Sequence, residues 1–165
     1  PVQIKKLLSK SKKLSFFTFG TDGSGYNNLI YNSSGINDSN KKKYLEMDGA
    51  KIFEFALHEV PVQIKKLLSK SKNSINSIDY FVFHQANKFM LNALGKKLGL
   101  PKEKVIYSID RFGNTNSASI PITLSENLKK KNDLKILISG FGVGYSWASA
   151  IINLHKPKFD SLQKI

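Results

Sequence analysis

Apolar residues along this chain fall into two alternating patterns: short continuous runs of strand length, and longer stretches in which they recur at helical spacing. The run at 14–20 (LSFFTFG) predicts a strand, 21–25 (TDGSG) a turn, and 28–31 a second short strand. A polar stretch covers 32–43. From Gly49 the apolar positions Ile52, Phe53, Ala56, Leu57, Val60, Ile64, Leu67 and Leu68 share one face of a long amphipathic helix. Residues 79–83 (DYFVF) predict a buried strand, and 85–98 a helix closed by Gly99 and followed by Pro101. A short strand at 105–107 is expected next. A helix over 117–130 then accepts Pro121 only in its first turn. Finally, 134–139 (LKILIS) predicts a buried strand, 140–144 a glycine-rich turn, 146–154 a last strand, and the tail after His155 is irregular. Strands alternating with helices imply an α/β layered domain, a sheet covered by helices.

Repetition changes this picture at one place. Residues 1–12 (PVQIKKLLSKSK) recur without change as 61–72. Stacked repeats need several related units, and the sequences flanking these two copies are unrelated. The first copy is therefore read as an anomalous duplicate, an artefact rather than a second unit, with a recent natural duplication as the alternative. The domain is placed at 13–155 and a tail at 156–165.

With 165 residues, 41% of them hydrophobic, the chain suffices for one compact domain. Twenty-six Lys and Arg against 12 Asp and Glu give a net charge of +14, which favours acidic partners through long-range attraction. The lysines are scattered, and no helix combines dense arginine with exposed aromatics, so nucleic acid is not an expected partner. No apolar run approaches the roughly 18 residues of a membrane span, so a membrane is not expected either, and a cytoplasmic location is the default. The chain has no cysteine. Disulfides, thiolate metal sites and thiol nucleophiles within it are thereby excluded.

Candidate chemistry gathers where an apolar strand ends. His84 and Gln85 stand at the expected junction of strand and helix, where helix N-terminal amides favour negative charge. Two glycine-containing segments, 111–119 (RFGNTNSAS) and 140–147 (GFGVGYSW), each adjoin a predicted strand or helix and can surround one pocket with it. His58 and His155 have no partners at metal-ligand spacing and are read as structural or surface residues. Trp147 and Tyr145 are expected to pack the last strand, and Asp22 to stabilise its own turn.

HQAN at 84–87, GNTNSASIP at 113–121 and GFGVGYSW at 140–147, in this order and spacing, resemble the C-terminal half of the ketosynthase III (β-ketoacyl-acyl-carrier-protein synthase III) family. The likeness runs over about 14–154 and takes in TDGSG and MDGAKIF at 47–53. The resemblance implies the second half of a thiolase-like fold, a mixed sheet covered by helices. It also implies a full-length homodimer in which a cysteine of the first half is acylated and then condensed with malonyl-acyl-carrier protein, as in fatty acid biosynthesis. His84 and Asn114 would be the catalytic histidine and asparagine, two fixed donors for the enolate left when a malonyl thioester loses carbon dioxide. Phe53 would line the pantetheine tunnel, with Asn87 near its inner end. Backbone amides of the 140–144 turn, including Gly142, Val143 and Gly144, would face the acyl oxygen. Lys88, Lys96 and Lys97 would meet an acidic acyl carrier protein. No cofactor is implied beyond substrates carried on coenzyme A or carrier-protein phosphopantetheine. Two departures stand out: Val143 occupies a position where many members have glycine, and Phe89 one where a basic residue is usual. Lacking the cysteine, the isolated chain is expected to be inactive in condensation. The alternative is a non-catalytic relative that binds the acyl carrier or coenzyme A.

Overall fold

A computed structural model describes residues 15–31, 44–128 and 133–157. Four strands form one mixed sheet: β1 (Phe16–Thr21), β4 (Tyr80–Phe83), β5 (Leu134–Gly142) and β6 (Ser146–Leu154), in the order β1-β6-β5-β4. β6 runs antiparallel to both β1 and β5, whereas β4 and β5 are parallel. β2 (Leu29–Tyr31) and β3 (Leu45–Met47) make a separate antiparallel pair. The helices are α1 (Gly49–Lys70), α2 (Lys88–Leu98), α3 (Ile109–Phe112) and α4 (Ser119–Asn127).

One sheet face carries the main core. Ala56, Val60, Ile64 and Leu67 of α1 and Leu91 and Leu94 of α2 pack with Phe81, Phe83, Leu137 and Ile151 of the sheet. This is the stripe expected for the long helix, with one addition, Phe55, whose ring stacks on Tyr145 at 4.0 Å. Asp48 caps α1 by accepting the Lys51 N–H at 3.1 Å. Pro61 lies inside α1, where it offers no N–H to the Leu57 carbonyl. Val60 and Ile64, fully buried on either side of it, hold the helix in place through packing. The second copy of the duplicated segment thus ends α1, and the first copy lies outside the described residues. On the other sheet face, Leu128, Ile136, Ala150, Ile152 and Leu154 form a smaller cluster with Leu124 of α4.

Several expectations are corrected. The helix after β4 starts at Lys88 rather than residue 85, because the Asn87 side chain accepts the Met90 N–H at 2.8 Å and caps it there. Residues 105–107 are no strand, since only Val105 bridges to Phe81. β5 runs through Gly142, so the turn after it is 143–145. β3 was not anticipated by the sequence pattern; all three of its residues are exposed. Pro121 does sit in the first turn of α4. No helix among the described residues is long and apolar enough to cross a membrane.

Candidate active site

His84 follows the last residue of β4, and its N–H bonds the Ser139 carbonyl of β5 at 2.8 Å, so the sheet ladder fixes its backbone. Its neighbour Gln85 is fully buried and acts as a three-way tie. The Gln85 Nε2 donates to the Phe83 carbonyl at 2.8 Å, while Oε1 accepts the N–H groups of Ser108 at 3.0 Å and Ile109 at 3.2 Å. This welds the end of β4 to the start of α3. His84 is therefore held by strand and side-chain bonds, not by a helix N-terminus, since the cap lies three residues on.

The imidazole is half-buried. Its Nδ1 lies 2.8 Å from Ser119 Oγ, and Phe141 of β5 presents a ring to it edge-on at 5.7 Å. Burial pushes its pKa below the usual histidine value, and a backbone hydrogen bond with Asn116 acts in the other direction. Desolvation thus favours the neutral imidazole.

Asn114 belongs to the turn that leads into α4. Gly113, with φ +65° and ψ −160°, occupies a backbone region that side chains disfavour, which explains the glycine before Asn114. Asn114 Oδ1 accepts the Asn116 N–H at 2.9 Å, and Asn116 itself has φ +50°. With its oxygen so engaged, Asn114 has its Nδ2 amide left to donate. Segment 113–119 thereby touches His84 through Asn116 and Ser119, and Asn114 belongs to that same segment. Its foundation is buried: Thr123 donates to the Ser119 carbonyl at 2.8 Å and lies 2.6 Å from Ser108 Oγ. Arg111 and Glu126 pair across α3 and α4.

The glycine-rich segment divides between the end of β5 and the turn after it. Gly140 and Gly142 belong to the β5–β6 ladder, opposite Ala148 and Ser146, and the Tyr145 N–H bonds the Asp22 carbonyl. Val143 and Gly144 lie in the turn itself. Val143 is 57% exposed and is not one of the non-glycine residues with positive φ, which among the described residues are Lys72, Asn116 and Lys156, so its backbone requires no glycine. The TDGSG turn clamps this end of the sheet. Thr21 Oγ1 and the Asp22 N–H donate to the Tyr145 carbonyl, and Asn28 donates to the Tyr145 hydroxyl at 2.7 Å. A Cβ on Gly25 would stand 2.2 Å from that ring, a close approach only glycine permits. Asp22 also closes its own turn, accepting the Ser24 N–H at 2.9 Å.

Phe53, on the first turns of α1, stacks on Phe89 of α2 with ring centroids 5.2 Å apart. Phe89 is 73% exposed, so the aromatic standing at the usual basic position caps the residue expected to line a tunnel. Asn87 is exposed, with its side-chain oxygen committed to capping α2. Lys88 pairs with Asp110 at 2.7 Å. Lys96 and Lys97 are exposed in the last turn of α2, roughly 13 Å along the helix from Lys88 at 1.5 Å per residue. His58 pairs with Glu59 and His155 with Asp133 at the surface. No group of metal-ligating side chains occurs among the described residues. Sequence reasoning missed Gln85 as a tie, Ser119, Phe141 and Phe55. Only the apolar character of the two phenylalanines hinted at a packing role.

The family model described as 3-oxoacyl-[acyl-carrier-protein (ACP)] synthase III C terminal matches residues 68–154. The β-ketoacyl-[acyl-carrier-protein] synthase III of Lactococcus lactis is 39% identical over 144 residues, covering 81% of this chain and 44% of the relative. That of Streptococcus pyogenes is 38% identical over 156 residues, covering 88% and 48%. The crystal structure of a 3-oxoacyl-(acyl-carrier protein) synthase from Burkholderia xenovorans superposes with a TM-score of 0.84 at 40% identity, covering 90% of this chain and 46% of that one. The chain spans about half the length of the curated relatives it matches.

Proposed function

We propose, from the premise that this chain belongs to the 3-oxoacyl-acyl-carrier-protein synthase III family and carries its C-terminal, thiolase-like region, that it supplies the decarboxylation half of a carbon–carbon bond-forming acyl transfer. Its substrate is a malonyl thioester on acyl-carrier protein. Loss of carbon dioxide leaves the electrons of the broken C–C bond on the α-carbon and, by resonance, on the thioester oxygen. His84 and Asn114 donate hydrogen bonds to that oxygen. The carbanion then attacks an acyl thioester and the thiolate departs. That thioester must be carried by a cysteine outside these 165 residues, which contain none.

The observation that carries this reading is the shared anchorage of the two donors. A half-buried neutral imidazole and an amide whose oxygen is already engaged both depend on segment 113–119. Such donors do not reorganise as charge develops. The pantetheine arm is assigned to the side bearing Phe53 and Asn87, with Val143 and Gly144 amides towards the acyl oxygen. An acidic carrier protein is assigned to Lys96 and Lys97; Lys88 joins them by exchanging Asp110 for a partner carboxylate.

A chimera tests this: residues 13–165 replacing the matching half of the Lactococcus lactis relative. It should convert acyl-coenzyme A and malonyl-acyl-carrier protein to a β-ketoacyl product, and His84→Ala or Asn114→Ala should lower turnover by about 10²-fold or more. A folded chimera that binds the malonyl thioester without forming product would establish the non-catalytic binding alternative instead.

A further inference from the structure

Neutral histidine has two tautomers, and only one of them serves the proposed reaction. The proton must sit on the nitrogen that faces the developing oxyanion, and the second nitrogen must accept a hydrogen bond. The surroundings of His84 select between these states. Ser119 Oγ lies 2.8 Å from His84 Nδ1 and 3.3 Å from the backbone nitrogen of Gln85. An amide N–H can only donate, so the Gln85 contact makes Ser119 Oγ an acceptor there. Ser119 is 1% exposed, which removes water as a partner for its own proton. If Nδ1 also donated to Ser119, the hydroxyl would accept twice while its proton stayed buried and unmatched. If the hydroxyl instead donates to Nδ1, the serine proton, Nδ1 and the Gln85 N–H each have a partner.

We propose that Ser119 is a positioning residue that holds His84 in the tautomer carrying its proton on Nε2. This inference rests on the enolate reading for its purpose, but its geometry stands independently of it. Ser119 lies in the first turn of α4, and its carbonyl is fixed by Thr123, so the hydroxyl is aimed by the helix. Gln85 belongs to the same device, because its buried side chain sets the backbone N–H that commits Ser119 to donate towards Nδ1.

The test is a long-range proton–nitrogen correlation spectrum of the 15N-labelled chain in mildly alkaline buffer, which reports which ring nitrogen of His84 is protonated. The wild type should show a protonated Nε2 and a bare Nδ1. Ser119→Ala should move both His84 nitrogen shifts towards a mixture of tautomers, and Ser119→Thr, which keeps the hydroxyl, should restore the wild-type pattern. Ser119→Ala also strands the Gln85 N–H and lowers stability for that reason alone, so melting does not decide the matter. A proton on Nδ1 in the wild type overturns the proposal whether or not the variants fold. An unchanged pattern in Ser119→Ala overturns it as well. Activity separates the two ideas: an inactive chimera with Nε2 protonated sinks the enolate reading alone, while an active one with Nδ1 protonated sinks only the role given to Ser119.

Discussion

The two faces of the four-stranded sheet are finished to different degrees. Against α1 and α2, Phe81, Phe83, Leu137 and Ile151 are wholly buried. On the opposite face α4 covers Ile136, but Phe17 and Phe19 of β1 are 57% and 83% exposed, although they pair in register with Ala150 and Ala148 of β6. The difference is one of helix reach. α1 has 22 residues and packs against β1, β5 and β6, whereas α4 has nine and contacts β4. The chain closes one face with its own helices; among the described residues the other is closed only near β4 and β5.

The largest effect should come from cutting into the finished face. Leu137→Ala removes a fully buried side chain from the middle of β5 and leaves a cavity under α1 and α2. A loss of about 2–5 kcal/mol in unfolding free energy is expected from urea titration. A change under about 1 kcal/mol would mean that this face is not the main core.

That core was legible in the sequence because helical spacing repeats over several turns: Ala56, Val60, Ile64 and Leu67 announce their common face before any contact is known. The exposed face was not. The run Phe16-Phe17-Thr18-Phe19 reads as a strand, yet alternation is imposed by the pleat, and nothing local says what covers its second side. The start of α2 carried a usable signal, Asn87 as a strongly preferred cap, which the hydrophobic period overrode. In the site, the motifs around His84 and Asn114 were readable as motifs. Their support was not, because Ser119 lies 35 residues from His84 and Gln85 lies 23 from Ser108. Buried polar ties join residues that share no sequence period, and only the folded chain brings them together.

His84 lies at the boundary between the faces, which gives a smaller and pH-dependent effect. Its folded-state pKa is lowered by burial, so between that value and the unfolded value of about 6.5 the unfolded chain binds more protons. Stability should therefore fall as pH drops from about 6.5 through the folded pKa, and this contribution should be absent above about 6.5. His84→Gln removes the titrating group. Comparing urea midpoints at pH about 7.5 and about 5.5, the variant should show a shallower decline than the wild type. Equal declines in both would show that burial of the imidazole is not linked to folding.

The smallest effect should come from the unfinished face, and it is the most informative for the comparison. Phe19→Thr keeps β propensity while removing an aromatic ring that gives up little contact with water on folding. The unfolding free energy should change by no more than about 0.5 kcal/mol. What should change is association. Phe17 and Phe19 lie on β1, the outermost strand of the sheet among the described residues, and an edge strand beside an apolar surface favours pairing with another copy. Sedimentation across a concentration series should show less self-association for Phe19→Thr than for the wild type, with Phe17→Thr acting in the same direction to a lesser degree. A stability loss of about 2 kcal/mol or more would place Phe19 in a core like that of Leu137 and erase the distinction between the faces. Unchanged association with unchanged stability would confine the distinction to burial, with no part in how copies of the chain meet.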